Sequence, residues 1–284
     1  MSNRIILSAD STCDLGAVLK QKYHVNYYPF HISLDGKEYV DNVDITPDDL
    51  FEAYWQYKQL PKTAAIGVAE YIDYFQKWTR QGYDVIHINL GGAISSTHHN
   101  CLLAAKELGN VYPIDSCSLS TGMGLLVLEA AERIAKGMRA EQIQREIQAL
   151  TAKTHASFIL DTLEFMRAGG RCSTVTALGA NLLRLKPCIE VDNRDGSMNV
   201  GKKYRGDLDR VLLQYVRDKL AQRNDLRLKR AFIAHTGVSQ ERIQMVYNAM
   251  KRYADFKEIY VARASCTISC HCGPNTLGVM FMTK

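Results

Sequence analysis

The sequence predicts an α/β protein of two parts, a parallel-sheet domain over residues 1–153 packed against an α+β domain with hairpins over 154–284. Three observations predict it. Strand-like and helix-like segments alternate through the first part, the pattern of a parallel sheet flanked by helices. In the second part, hairpin signals are mixed with helices. The 284 residues also suit two domains of roughly 100–200 residues each.

Residues 4–9 read as a short buried strand ending at Asp10. Ser11, Thr12 or Asp14 stands where it can cap a helix over 15–22. Residues 25–40 hold two β-rich runs around Asp35-Gly36, a strong hairpin signal. A helix over 47–57 takes Thr46 as cap and Pro47 as its first residue. Residues 68–80 form another amphipathic helix. The run DVIHINL (84–90) reads as a central strand that leads into Gly91-Gly92 and Ser95-Ser96-Thr97, ahead of a helix over 97–108. A second short strand, 111–115, passes through SCSLSTGMG into a helix that ends near 136. Ala140, Ile143, Ile147 and Leu150 keep helical spacing over 140–153. The second part opens with a strand over 157–161 and a hairpin over 190–201 around Asp195-Gly196. A helix over 207–222, a strand over 230–235, a helix over 239–253, and strands over 258–263 and 277–282 follow. The two domains are expected to pack closely, with a ligand between them, since ligand sites favour such interfaces.

Composition narrows the function classes. Apolar residues make up 46% and charged residues 23%, ordinary for a soluble globular protein that needs neither disulfides nor metals to fold. The net charge of +5 is mild and spread along the chain. No Lys/Arg block is interleaved with aromatics, so nucleic-acid binding is not indicated. The opening MSNRIILSAD has no sustained apolar run and meets Asp10 early, unlike a secretory signal. The longest apolar stretches, such as GLLVLEAA (124–131), are too short to span a bilayer. A cytoplasmic location and no stable membrane insertion are expected, and the eight cysteines then read as reduced core thiols.

Several segments, in order, resemble one family. They are D-S-T-C-D-L (10–15), Pro61-Lys62-Thr63, Ser95-Ser96-Thr97, and Ile114-Asp115-Ser116 followed by Ser120-Thr121-Gly122-Met123-Gly124. The most specific piece runs from Asp161-Thr162-Leu163-Glu164-Phe165 through Gly169-Gly170-Arg171. Lys186-Pro187, Asp195-Gly196, Lys203-Tyr204-Arg205-Gly206 and His271-Cys272-Gly273-Pro274 complete the series. Together these resemble the DegV family from end to end of the chain. The chain departs from that family's pattern at Gly91-Gly92 (Ser-Ser), Ser96 (Gly), Ala64-Ala65-Ile66 (often Ser-Gln-Pro) and Asn275 (Gly).

The resemblance implies a carrier that binds one long-chain fatty acid, such as palmitate, stearate or oleate, with no further cofactor. It also implies that the carboxylate is presented to a fatty acid kinase catalytic subunit, which converts it to an acyl phosphate for phospholipid synthesis. The carrier itself would have no stand-alone catalysis. Thr63, Ser95, Ser96 and His271, with backbone at Gly91 and Gly92, become the expected carboxylate site. A buried carboxylate needs several donors, and a helix start adds backbone N–H groups. Taken singly, Ser95 reads equally well as a helix cap, while Thr63 reads more often as a turn residue and His271 more often as a structural histidine. Arg171 and Arg205 match family arginines near the kinase-facing surface. Burying about 16 methylenes at ~0.8 kcal/mol each gives roughly 13 kcal/mol gross, against about 1.5–3 kcal/mol per charge-assisted hydrogen bond. The tail therefore supplies affinity and the polar groups supply orientation.

Other readings compete. Asp10, Asp115 and His271 could serve a small-molecule phosphotransferase or hydrolase, although no G-x-x-x-x-G-K or G-x-S-x-G motif is present. A lipid-responsive regulatory protein would need the same pocket and no kinase. Cys266, Cys270, His271 and Cys272 invite a zinc reading, but structural zinc takes spaced pairs on separate turns, and metal binding is not expected.

Overall fold

A computed structural model describes residues 4–176 and 185–284. Three sheets organise them. The first is entirely parallel, in the order β2 (Asn26–Tyr28), β1 (Ile5–Asp10), β6 (Asp84–Asn89), β7 (Val111–Asp115). Helices α1 (Gly16–Lys22), α3 (Val68–Thr79) and α4 (Thr97–Leu108) fall between its strands along the chain, and α5 (Ser120–Ala135) and α6 (Ala140–Leu150) follow the last. The last four residues of β1 and the last five of β6 are buried without alternation, as expected of strands covered on both faces.

A small antiparallel sheet joins β4 (Lys37–Val40), β3 (His31–Leu34) and β5 (Lys62–Ala64). Asp35 and Gly36 both take positive φ (54° and 71°), the demand of a tight hairpin turn. The run from Val25 to Leu34 divides at Pro29-Phe30 and serves two sheets. Helix α2 (Pro47–Tyr57) begins at a capping box in which Thr46 and Asp49 bond reciprocally.

The third sheet has six strands, in the order β10 (Met198–Arg205), β9 (Leu185–Val191), β8 (Thr154–Ile159), β13 (Leu277–Thr283), β11 (Leu226–His235), β12 (Glu258–Arg263). Only β11 and β12 run parallel, joined through α10 (Gln240–Tyr253). Strand β13 shows how the sheet divides its faces. Leu277, Val279 and Phe281 point to α9 (Leu208–Leu220) and α10, while Met280 and Met282 join the core of the parallel sheet. Between the two large sheets lies α5, buried over every residue from Ser120 to Ala131. A helix apolar on all sides belongs in an interior, and α5 contacts β1 and β6 on one side and β8, β11 and β13 on the other.

Among the described residues there are also the short helices α7 (Glu164–Gly169), α8 (Ser173–Thr176) and α11 (Cys266–Cys272). Helix α11 is late in sequence but packs on the small sheet and α2. Cys266 and Cys270 there join Ile32, Leu34, Ile45 and Leu50.

The structure corrects one local reading. Residues 11–13 form a 3-10 turn, Asp14 is left-handed (φ 50°), and α1 starts at Gly16 with no side-chain cap. The expected capping residues are buried and bonded elsewhere: Ser11 Oγ to Asp41, Thr12 Oγ1 to the Met123 sulfur, and Asp14 to Ser120.

Candidate functional site

A cavity opens where the small sheet, the loop before α4, the turn after α7 and α11 converge. Counted with its open mouth, the space between its walls is about 500 Å³. Thr63, Ser95, Arg171 and His271 supply its polar lining together with Thr267. Phe30, Leu90, Ile94, Met166 and Met198 are among its apolar walls. Leu119, Ile268 and Cys272 line this chamber and also a second, of about 250 Å³, which continues inward beside Phe158, Ala234 and Met280. The polar side chains around the inner chamber are already engaged. Thr236 Oγ1 donates to the Gly273 carbonyl (2.6 Å), Thr276 Oγ1 to the Cys272 carbonyl (2.9 Å), and Ser120 Oγ to Asp14 (2.6 Å). His235 Nδ1 accepts from the Gly237 N–H at 3.2 Å.

The mouth is assembled from four separate segments. Thr63, on β5, lies 3.0 Å from His271 Nε2 through its hydroxyl. Ser95 Oγ is 2.5 Å from Thr97 Oγ1 and accepts from the Thr97 N–H at 3.3 Å. Burial, with the Arg171 guanidinium nearby, pushes the His271 imidazole down to about 4, so the ring is neutral at ordinary pH. Its Nδ1 is buried and has no hydrogen-bond partner among the described residues. Arg171 Nη1 donates to the Gly169 carbonyl at 2.7 Å and leaves the rest of its fork free of that bond. The motif Gly169-Gly170-Arg171 therefore has a physical account. A Cβ at 169 would collide with His271 Nδ1. Gly170 is left-handed (φ 66°) and ends α7. Arg171 is then delivered to the cavity.

The structure thus brings Thr63, Ser95 and His271 to one place, and adds Arg171, expected at a partner surface. Ser96, Gly91 and Gly92 are not among the lining residues. Ser96 is exposed, with an ordinary helical φ of −73°. Gly91 packs on the Ser118 backbone, and a Cβ at Gly92 would lie 2.7 Å from Asp115 Oδ2. These glycines admit the 115–118 loop. Arg205 is exposed at the end of β10 and does not line the cavity. Asn275, where the family pattern has glycine, is left-handed (φ 58°), a conformation Asn tolerates, and it bonds Asp161 at 3.1 Å.

Asp10 is buried, bonded to Tyr71 (2.6 Å), His87 (3.0 Å) and the Leu90 N–H (2.8 Å). Asp115 accepts from the Gly92 and Cys117 N–H groups. Neither reaches the cavity that holds His271. On α11 the four zinc candidates diverge: Cys266 and Cys270 face the small sheet, while His271 and Cys272 face the cavity. Among the described residues, no group of three or more His, Cys, Asp or Glu side chains is placed to hold a metal. Nor is any helix there long and apolar enough to cross a membrane. All eight cysteines are unpaired and buried.

Sequence reasoning missed the walls. Leu119, Ile268 and Met198 have the composition of any core, and their convergence depends on pairing between distant strands. Arg171 could have been placed from Gly169, whose missing side chain makes room beside the histidine.

The chain resembles known proteins along its whole length. A family model described as an uncharacterised protein of the DegV family matches residues 4–284. A DegV domain-containing protein of Clostridium perfringens is 28% identical over 287 residues, covering 99% of both chains. Among solved structures, one described as fatty acid binding of a DegV family protein from Thermus thermophilus is 26% identical, with a TM-score of 0.87, covering 99% of this chain and 100% of that one. Another, described as DegV, a fatty acid binding protein from Bacillus subtilis, has the same fold (24% identity, TM-score 0.82, full coverage of both chains). Matched in all but its first three residues, and with the family's most specific motif shaping the mouth of the cavity, this chain belongs to the DegV family.

Proposed function

We propose that this protein binds one long-chain fatty acid, with the carboxylate at the Thr63/Ser95/His271/Arg171 mouth and the acyl chain running inward past Leu119, Ile268 and Cys272. One observation carries the reading: the described lining of the outer cavity holds a single side chain charged at neutral pH, Arg171, beside neutral donors, and the described residues further in are apolar or already hydrogen-bonded. A ligand with one anionic head and a long apolar tail is the complement of that lining. The fatty acid binding described for the Thermus thermophilus relative supports the same reading.

The carrier presents the carboxylate to a separate kinase. In that step a carboxylate oxygen attacks the terminal phosphorus of a nucleoside triphosphate, the bridging P–O bond breaks, and the diphosphate leaves. Among the described residues, Asp10 and Asp115 are hydrogen-bonded away from the cavity, which favours a carrier over an enzyme built on them. On this reading residues 1–153 supply Thr63 and Ser95, residues 154–284 enclose most of the acyl chain and add Arg171 and His271, and the protein works in the cytoplasm. The test is mass spectrometry of denatured protein purified from a bacterial host. The expected result is about one C14–C18 fatty acid per chain. No lipid on extraction, together with no uptake of added palmitate or oleate, would overturn the reading.

A further inference from the structure

Helix α11 is held in an unusual way. It has seven residues, too few to be stable alone, yet it carries Thr267, Ile268, His271 and Cys272 into the cavity wall. A helix start leaves N–H groups that need acceptors. The Ser265 side chain caps the Ile268 N–H at 3.5 Å. The Ser265 N–H itself donates to Asp14 Oδ1 (2.9 Å), and the Cys266 N–H to Asp41 Oδ1 (2.8 Å). Thr267 Oγ1 donates to Asp41 Oδ2 (2.8 Å), which Ser11 Oγ also reaches at 2.7 Å. Both carboxylates are buried, Asp14 at 4% and Asp41 at 2% exposure.

Burying two carboxylates is costly, because each must be drawn out of water. Water or a second hydroxyl would satisfy a helix start at less cost. What the carboxylates add is reach across the fold: 251 residues separate Asp14 from Ser265, and 225 separate Asp41 from Cys266. They tie α11 to the part of the molecule that carries Thr63 and Ser95. The Thr63–His271 contact is made across that tie.

We propose that Asp14 and Asp41 are positioning residues of the carboxylate site, clamping α11 by its first N–H groups so that His271 is held against Thr63. The inference rests on the fatty-acid reading above. Ile268 and Cys272 also ride on α11 and line the path of the tail, but Leu119, Phe158, Ala234 and Met280 wall that path from other elements. A clamp of this kind therefore weighs more on the head group than on the tail, which separates it from a purely structural role.

The experiment compares palmitic acid with hexadecan-1-ol, which has the same chain and no charge. Both are titrated into delipidated protein carrying Asp14→Ala, Asp41→Ala or the milder Ser11→Ala, with folding checked by circular dichroism. Each Asp variant that folds is expected to lose about tenfold in affinity for the acid and clearly less for the alcohol, whose chain keeps the walls outside α11. Ser11→Ala keeps both carboxylates and every lining side chain, although it also frees the Phe30 N–H that Ser11 Oγ accepts from at 3.3 Å; it shifts the acid more than the alcohol, and by less than the Asp variants. Asp41→Asn, whose amide oxygen can still accept from Cys266, recovers part of the loss. Equal losses for acid and alcohol in the folded variants, or unchanged acid binding in all of them, overturns the clamp. Should the Asp variants not fold, unchanged or equal effects in Ser11→Ala do so instead. Failure of the parent protein to bind either ligand sinks the fatty-acid reading.

Discussion

At the residue scale, the cavity mouth separates side chains that line it from residues that make room. Thr63→Ala, Ser95→Ala and His271→Ala each remove one donor, and each is expected to weaken fatty-acid binding by about 1–3 kcal/mol without unfolding the protein. Gly169→Ala is expected to do the same without removing a donor, because its methyl would displace the imidazole. Titration with palmitate measures all four, and wild-type affinity in all four would place the head group elsewhere. Asp14 makes a separate prediction about pH. Burial raises its carboxyl to about 7, against the pull of its bonds to Ser120 and Ser265, where an unfolded Asp titrates near about 3.9. Between those values the native state holds a proton that the unfolded chain has released. The group's contribution to stability is therefore complete below the unfolded value and is lost as pH rises through about 7. Asp41 is shifted in the same direction by burial. Asp14→Asn removes one such group, so relative to wild type it should gain stability between pH 5 and pH 8, on the order of a few kcal/mol. Urea unfolding at the two pH values measures the difference, and parallel pH dependence in the two proteins contradicts it.

At the element scale, legibility followed the range of the interactions that define each element. Helix α4 and strands β7 and β12 were readable to the residue, since their signals lie within their own segments. So was the Asp35-Gly36 turn, whose backbone demands glycine or a tolerant residue at one point. Helices α7 and α11 were not read. Each is a short piece held by partners far off in sequence, α11 by Asp14 and Asp41 and α7 in part by a Tyr54–Glu164 contact. The misread caps at 11–14 have the same cause: side chains expected to serve the next helix serve distant partners. Among the residues that line the cavity, Thr63, Ser95 and His271 were singled out only through family resemblance, because nothing local distinguishes them from a turn residue, a cap and a core histidine. The same α11 geometry bears on metal. Cys266 and Cys270 face away from His271 and Cys272, and burial pushes the Cys266 and Cys272 thiols up to about 12, the wrong direction for thiolate ligands. Elemental analysis of untagged protein should find no stoichiometric zinc, and a chelator should leave its melting temperature unchanged.

At the scale of the whole molecule, the large sheets and α5 make a frame around a cavity that is open at the Arg171 end and lined by buried residues further in. Arg171 stands at the boundary, bonded to the Gly169 carbonyl and lining the mouth. Arg205 is exposed on the last residue of β10. The two arginines should therefore separate in function. A kinase must bring an anionic nucleotide to the carboxylate edge, and a basic rim would steer that encounter with a dependence on salt. Arg205→Glu should leave fatty-acid affinity unchanged and slow acyl-phosphate formation by a cognate kinase, most strongly at low ionic strength. Arg171→Glu should impair both, because it sets a like charge beside the ligand carboxylate as well as altering the rim. The measurement is phosphorylation rate against carrier concentration at two salt concentrations, with lipid occupancy determined in parallel. A normal rate for Arg205→Glu at full occupancy would remove that residue from the docking surface. Unimpaired palmitate binding by Arg171→Glu would mean that the guanidinium belongs to the rim alone, and that neutral donors suffice to hold the head group.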